Sequence, residues 1–227
     1  MGLNIYAKAE ELLGIEEATA SLHALYLELL VEHGVSEFLD VGCGRGGLMA
    51  AAREEGIRSF GIDLSPIMVE AAREKGLDAE CKELCDVTGS FDALVAVFDV
   101  LNFLDAQELE RFLECAAALL KPGGLLLADI NTLHGFADVA EGTMSAEDAN
   151  RFLSVDAVFA NNELHTRFTL FEKVSEACWK REQETIVQHF HPIKRFRKSA
   201  RFSLVAQHSL SLYDRDDKTL LVLKKRS

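Results

Sequence analysis

The residues best suited to chemistry lie in one segment, FLDVGCGRGGLMA, which begins at Phe38 and ends at Ala50. Its closely spaced glycines are Gly42, Gly44, Gly46 and Gly47. A strand that runs through such a turn into a helix brings backbone N–H groups close to a ligand, because glycine has no side chain in the way. Asp40 places a carboxylate at the carboxyl end of this strand. We therefore expect a ligand site at this turn.

Two classes of ligand fit the turn, and the charge of Asp40 discriminates between them. Gly42, Gly44 and Gly47 satisfy the pattern G-x-G-x-x-G, so a nicotinamide or flavin dinucleotide is one interpretation. The carboxylate of Asp40 would repel a pyrophosphate and attract a cation. S-adenosylmethionine carries a sulfonium and an ammonium and no phosphate. The sequence therefore favours this cofactor, with a dinucleotide as the alternative.

Two further acids follow the next strands along the chain. Asp63 lies about twenty residues beyond the glycine turn, where a carboxylate accepts hydrogen bonds from the two ribose hydroxyls. Because both kinds of cofactor contain a ribose, Asp63 does not choose between them. Asp86 follows a short strand predicted over 77–81, and we expect it to accept a hydrogen bond from an adenine amino group.

The elements that must position these residues alternate between strand and helix. Apolar spacing and helix-ending glycines predict helices over 6–33, 48–55, 66–75 and 105–120. Apolar runs predict strands over 38–41, 57–63, 77–81, 91–98 and 125–129. The run FDALVAVF over 91–98 is typical of a central parallel strand that is covered on both faces. Four alternations in about 95 residues predict an α/β fold with a doubly wound parallel sheet.

The motifs LDVGCGRGG, GIDLSP, FDALVAVF and LLKPGGLLLADI resemble the successive motifs of the class I S-adenosylmethionine-dependent methyltransferases. The resemblance covers residues 35–132, in that family's order and spacing. It implies one domain over 1–227 with a Rossmann-like, mostly parallel sheet of seven strands, the last two forming a C-terminal antiparallel hairpin. The Lys-Pro-Gly-Gly turn is not expected of dinucleotide dehydrogenases, which weakens that alternative.

The residues expected to bind S-adenosyl-L-methionine are Asp40, Gly42, Cys43, Gly44, Asp63, Leu64, Asp86, Val87 and Phe98. Those of the glycine turn would hold the methionine end of the cofactor. Asp63 would bind the ribose, and Asp86 the adenine. Phe98 and Asp99 would form the wall between the cofactor and the molecule that accepts the methyl group.

Residues 136–193 lie where this family often inserts a small, substrate-covering β lobe. Interleaved polar and apolar residues predict strands over 155–171 and 178–190, joined by a turn over 172–177. The segment resembles bacterial small-molecule N- or O-methyltransferases, including those that act on amino-sugars. This resemblance implies a small-molecule acceptor.

The acceptor atom decides whether a catalytic base is needed. An amine needs only to lack its proton, whereas a hydroxyl usually needs a general base. The candidate bases are His134, just past the fifth strand, and His189 and His191, near the end of the lobe. Each has a surface or hydrogen-bonding role as its alternative. No third ligand accompanies His189 and His191, so we expect no metal.

The net charge of −13 argues against a general nucleic-acid binder, which needs a basic surface. A basic cluster is nevertheless present, formed by Lys194, Arg195, Arg197, Lys198 and Arg201. It is either the solvated face of a short helix or a site for an anionic substrate or RNA phosphate. An RNA- or protein-modifying methyltransferase therefore stays an alternative, as does a non-catalytic protein that only binds the cofactor.

The five cysteines are odd in number and form no C-x-x-C pair, so we expect reduced thiols in a cytoplasmic protein. No apolar run approaches the roughly 20 residues that span a bilayer, and the N-terminus lacks an apolar signal core. We expect a cytoplasmic enzyme, monomeric or homodimeric, that acts on a small molecule without a nucleic-acid or membrane partner.

Overall fold

The computed structural model describes residues 3–226, which form two β-sheets and six α-helices. The helices are α1 (Leu3–Ala9), α2 (Glu16–Glu32), α3 (Gly47–Glu54), α4 (Pro66–Glu74), α5 (Ala106–Leu119) and α6 (Ile193–Arg197). The strands are β1 (Glu37–Val41), β2 (Arg58–Asp63), β3 (Ala79–Cys81), β4 (Phe91–Ala96), β5 (Leu120–Asn131), β6 (Gly142–Glu147), β7 (Arg151–Ala160), β8 (Glu163–Ser175), β9 (Cys178–His189), β10 (Phe202–Leu210) and β11 (Lys218–Lys225).

The larger sheet has seven strands in the order β10-β11-β5-β4-β1-β2-β3. The five strands from β5 to β3 are parallel to one another, whereas β11 runs antiparallel to both β5 and β10. This is the Rossmann-like, mostly parallel sheet with a C-terminal antiparallel hairpin that the sequence predicts. The prediction of the fold class is confirmed.

The central strand β4 explains why the sheet is covered on both faces. Leu94 and Ala96 are buried in a core that includes the apolar side of α5, such as Leu113. Ala93 and Val95 point the other way, into a core shared with α2 and α3. A strand with helices on both sides has no solvent-facing side chains, which is why its sequence is continuously apolar.

The helix predicted over 6–33 is two helices in the structure. Gly14, between α1 and α2, has a positive φ of 65°, a conformation that most residues avoid and that a helix does not contain. The break sends α1 away from the main sheet, and its Ile5 and Ala9 pack against Phe168 and Ile186 of the smaller sheet. The prediction of one helix was therefore wrong. The break allows α1 to pack against the smaller sheet, next to the carboxyl ends of the parallel strands.

The predicted Lys-Pro-Gly-Gly turn lies inside β5, which begins earlier than the sequence indicates. The pairing of β4 with β5 jumps from Phe91 opposite Leu120 to Ala93 opposite Leu125, so the turn residues loop out as a bulge. A Cβ added at Gly124 would lie 2.8 Å from the carbonyl oxygen of Asp92, so this position requires glycine.

The second sheet has four antiparallel strands in the order β6-β7-β8-β9, all within residues 136–193. The single strand predicted over 155–171 is wrong. Asn161 and Asn162 both have positive φ, 56° and 66°, and make the two-residue turn between β7 and β8. The strand β6 was missed because its side chains are almost all exposed and show no apolar alternation.

Cys85 and Cys115 form a disulfide, so the expectation that all five cysteines are free thiols is wrong. The bond ties the 3₁₀ turn Leu84–Asp86, which follows β3, to α5. No local pattern signals a pair thirty residues apart. Cys43 is a buried thiol, and Cys81 and Cys178 are exposed ones. None of the helices within residues 3–226 is long and apolar enough to cross a membrane.

Candidate active site

A cavity of about 1100 Å³ lies at the carboxyl ends of the parallel strands. Its floor consists of the loops that follow β1, β2 and β4. Its roof consists of α1 and the inner face of β7, β8 and β9. Parallel α/β sheets place their ligands at this edge, and here the smaller sheet encloses the edge from above.

The glycine turn after β1 forms one end of the cavity. Gly42 has a φ of 75°, and a Cβ there would lie 2.8 Å from a methyl carbon of Val100. Gly44 has a φ of 52°, and a Cβ there would meet nothing within 4 Å. The first glycine is therefore required by close packing and backbone conformation, and the second leaves open space above the turn.

Asp40 and Asp63 make this end of the cavity acidic. Asp40 is only 3% exposed, and its carboxylate opens onto the cavity without a hydrogen bond from residues 3–226. Burial, with a smaller effect of the Asp63 charge, raises the pKa of Asp40 to about 7. Asp63 accepts hydrogen bonds from the backbone N–H of Gly44 at 3.0 Å and of Ser65 at 2.8 Å. A buried carboxylate without a partner favours a cationic ligand.

The residues after β4 form a rigid wall in the middle of the cavity. Phe98 and Asp99 have positive φ angles of 67° and 55°, which are uncommon for residues other than glycine. Both backbone N–H groups donate to the buried carboxylate of Asp129, at 2.8 and 2.9 Å. The hydroxyl of Tyr26 also donates to Asp129, at 2.9 Å. The two backbone hydrogen bonds hold the strained turn, and the one from Tyr26 holds Asp129 in place.

A buried lysine neutralises part of the charge behind this wall. Lys218 contacts the carboxylate of Asp99, and its Nζ lies 2.9 Å from Oδ1 of Asn131 and 3.7 Å from Oδ2 of Asp129. Its Nζ also lies 5.2 Å from the centre of the Phe98 ring. No local pattern identifies Lys218 as part of this site, because it begins a strand that is distant in the chain.

The structure places most of the expected cofactor residues on the cavity and two outside it. Those that line the cavity are Asp40, Gly42, Cys43, Gly44, Asp63, Leu64 and Phe98. Asp86 is exposed to solvent away from the cavity, and Val87 is buried in the core of the main sheet. In the connection between β3 and β4, the acid that lines the cavity is Glu83, whose carboxylate lies 3.8 Å from the guanidinium of Arg111. Sequence position alone could not tell which residues of a short 3₁₀ turn face inward.

The three candidate histidines occupy different environments. His189 lines the cavity, and its Nδ1 lies 3.4 Å from a carboxylate oxygen of Glu163. His134 lies outside the cavity and contacts two acids, Asp138 and Asp214, which raise its pKa. His191 also lies outside the cavity and is buried, with its Nε2 2.9 Å from the carbonyl oxygen of Leu104. Burial lowers the pKa of His191.

Among the cavity residues that had no role in the prediction are four polar ones: His23 from α2, Thr166 from β8, and Thr185 and Gln188 from β9. Gln188 donates from its Nε2 to Oδ2 of Asp99 at 3.0 Å. This contact with Asp99 joins residues that are 89 positions apart in the chain, so no local pattern reveals it. Within residues 3–226, no three His, Cys, Asp or Glu side chains group as a metal site.

Comparisons with known proteins agree with this geometry. Residues 38–124 match the family model described as a methyltransferase domain. A putative methyltransferase of Bacillus subtilis, YqeM, is 27% identical over 173 residues, which cover 70% of this chain and 68% of that protein.

Two solved structures share the fold. An S-adenosylmethionine-dependent methyltransferase from Clostridium acetobutylicum has a TM-score of 0.80 at 18% identity, covering 99% of this chain and 100% of that one. CalS10, an amino pentose methyltransferase from Micromonospora echinaspora solved with S-adenosylmethionine bound, has a TM-score of 0.75 at 19% identity, covering 98% and 97%.

Proposed function

We propose that the chain is a class I S-adenosylmethionine-dependent methyltransferase that transfers a methyl group to a nitrogen or oxygen atom of a small molecule, because residues 38–124 match a methyltransferase domain and the chain shares its fold with a solved methyltransferase. The observation that carries this proposal is one cavity of about 1100 Å³ shared by the glycine turn and the inner face of the second sheet. Ligand pockets usually measure about 300–1000 Å³, so this volume suits a cofactor together with a small acceptor.

The residues at the glycine turn fit S-adenosyl-L-methionine. The buried, unpartnered carboxylate of Asp40 suits the ammonium, and the open space above Gly44 leaves room for the methionine end. Asp63, with Leu64, would hold the ribose. Asp86 and Val87 stay predictions for the adenine, and Glu83 is the acid of that connection that lines the cavity. When bound, the cofactor supplies an activated methyl group.

The protein then has to align the acceptor, exclude water and receive a proton. The strained turn at Phe98 and Asp99 is held by two hydrogen bonds to Asp129, which Tyr26 holds in place, so the wall beside the acceptor is preorganised. His189 is the candidate base that lines the cavity. The carboxylate of Glu163 faces its Nδ1 and orients the ring, which leaves Nε2 to take the proton of an acceptor hydroxyl.

Methylation of RNA or protein has less support as an alternative. Two arginines of the basic cluster face acids of α5: Arg195 lies 3.7 Å from Glu110, and Arg201 lies 2.8 Å from Glu114. Arg197 donates to Gln207 at 3.0 Å. These contacts support the interpretation of the cluster as a solvated helix face. A cytoplasmic location and a monomeric or homodimeric state stay predictions.

The test is a screen for S-adenosylhomocysteine formation across small amines and alcohols, followed by substitution of His189. For a hydroxyl acceptor, His189→Asn is expected to lower kcat about 100-fold, the usual contribution of a general base. His134→Asn is the matched control, since that ring lies outside the cavity and should leave kcat unchanged.

Cofactor-product affinity should be the same in both variants, which separates a lost base from a lost fold. Methyl transfer only to RNA or protein would contradict the small-molecule acceptor. An equal loss of kcat in the His134 and His189 variants would contradict the role of His189.

A further inference from the structure

The last residues of β9 belong to the second sheet but are fixed by the main sheet. Asn102, in the 3₁₀ turn Val100–Phe103, donates from its Nδ2 to the carbonyl oxygen of His189 at 2.8 Å. The same side chain accepts from the backbone N–H of Asn131 at 2.9 Å. Asn102 is fully buried, so both hydrogen bonds are shielded from water. The position of Gln188, the neighbouring residue, is therefore set by the rigid core.

The amide of Gln188 has one permitted orientation. The Asp99 carboxylate contacts the Lys218 ammonium and accepts a hydrogen bond from the Asn131 amide at 3.0 Å. A carboxylate oxygen accepts hydrogen bonds, so the Gln188 group that faces it is the donor Nε2. The carbonyl oxygen Oε1 is left without a hydrogen-bond partner among the described residues, on a side chain that lines the cavity.

The surrounding wall offers an acceptor molecule mostly apolar contacts. The buried apolar side chains of the second sheet that line the cavity are Val155, Ala157, Leu164, Phe168 and Ile186. The polar groups of the second sheet that line the cavity are the hydroxyls of Thr143, Thr166 and Thr185, the amide of Gln188 and the ring of His189. A molecule with many hydroxyl groups would leave several of them without partners against this wall, which is unfavourable.

We propose that Gln188 determines acceptor specificity: its Oε1 accepts a hydrogen bond from an N–H or O–H group on an otherwise apolar acceptor. Asp99 acts through Gln188 as a positioning residue, because it selects the orientation of the amide. The acceptor class is thus an aromatic or aliphatic body that carries one hydroxyl or amino group. This inference rests on the proposed function and narrows its acceptor.

The test uses two probes that differ by one hydrogen-bond donor, 4-phenylphenol and 4-methoxybiphenyl. Each is titrated calorimetrically into protein saturated with S-adenosylhomocysteine. Wild type is expected to bind the phenol about tenfold more tightly, as one buried hydrogen bond allows. Gln188→Leu, which removes Oε1, is expected to bind both probes within about threefold of each other.

Gln183→Leu is the matched control, because this glutamine lies on the same strand but is exposed and outside the cavity. It should keep the tenfold preference. The inference would be overturned if wild type bound both probes equally or bound neither. It would also be overturned if Gln188→Leu retained the preference for the phenol, or if wild type bound D-glucosamine more tightly than the phenol. Failure to bind S-adenosylhomocysteine in the same titration would instead contradict the proposed function.

Discussion

Asp40→Asn is expected to weaken S-adenosylhomocysteine binding about 100-fold at pH 8, because a buried ion pair with the ligand ammonium is lost. The same substitution should stabilise the ligand-free protein. Asp40 is buried and has no hydrogen-bond partner within residues 3–226, so its charge is unfavourable until a cation arrives. Asparagine has the same shape without the charge. The measurements are calorimetric titration and thermal unfolding of both proteins.

The pH dependence of stability follows from the pKa of Asp40, which rises from 3.8 to about 7 in the folded protein. Between these values the folded state keeps a proton that the unfolded state has lost, so stability falls as pH rises through this window. Above pH 7 the full penalty applies, on the order of 2–4 kcal/mol. Asp40→Asn should therefore gain most stability at pH 8 and progressively less towards pH 4.

Ligand affinity should depend on pH in the opposite sense. Below pH 7 the Asp40 carboxyl of the ligand-free protein is protonated, so affinity should fall by up to about tenfold per unit towards pH 5. This dependence should be absent in Asp40→Asn. Asp78→Asn removes an exposed acid and is the control for charge alone. A variant at Asp40 that is less stable than wild type at pH 8, or that binds with wild-type affinity, would contradict the assigned role.

Lys218→Met is expected to destabilise the protein by about 3–5 kcal/mol, the usual effect of removing one partner from a buried charge group. Lys218 is buried, and it lies against the carboxylates of Asp99 and Asp129. Burial and the Asp99 charge already raise the pKa of Asp129, and the lysine opposes this rise. Urea unfolding at pH 7.5 measures the change.

Two further variants make this result specific. Lys224→Met changes an exposed lysine on the same strand and should alter the free energy of unfolding by less than about 0.5 kcal/mol. Asp99→Asn combined with Lys218→Met should recover part of the lost free energy of unfolding, since it removes one of the two carboxylates left without the lysine. A loss below about 1 kcal/mol in the single variant would show that the buried charges do not depend on Lys218.

The sequence predicts the parts of this molecule that depend on local pattern. The continuous apolar run of β4 and the glycine turn after β1 identify the central strand and the ligand end of the sheet, because their neighbours along the chain determine their structure. The pair Asn161-Asn162 was also a readable signal, since asparagine tolerates positive φ in two-residue hairpins. The alternating residues on both sides of the pair hide this signal within a longer strand-like stretch.

Other parts depend on contacts between distant residues, which local pattern does not carry. Lys218 meets Asp99 across 119 residues of chain, and Gln188 meets it across 89. The disulfide from Cys85 to Cys115 belongs to the same class. Among the three histidines, His189 is the last residue of β9 and lines the cavity, whereas His191 follows the strand and is buried against Leu104. Sequence spacing supplied the candidates, and tertiary packing separated them.

The central claim is that the glycine turn with Asp40 binds S-adenosylmethionine rather than a dinucleotide. The most direct measurement is a calorimetric titration of the wild-type protein with S-adenosylhomocysteine and, separately, with NAD at the same concentrations. We predict saturable binding of S-adenosylhomocysteine and no detectable heat of binding for NAD. Binding of NAD without binding of S-adenosylhomocysteine would contradict the claim.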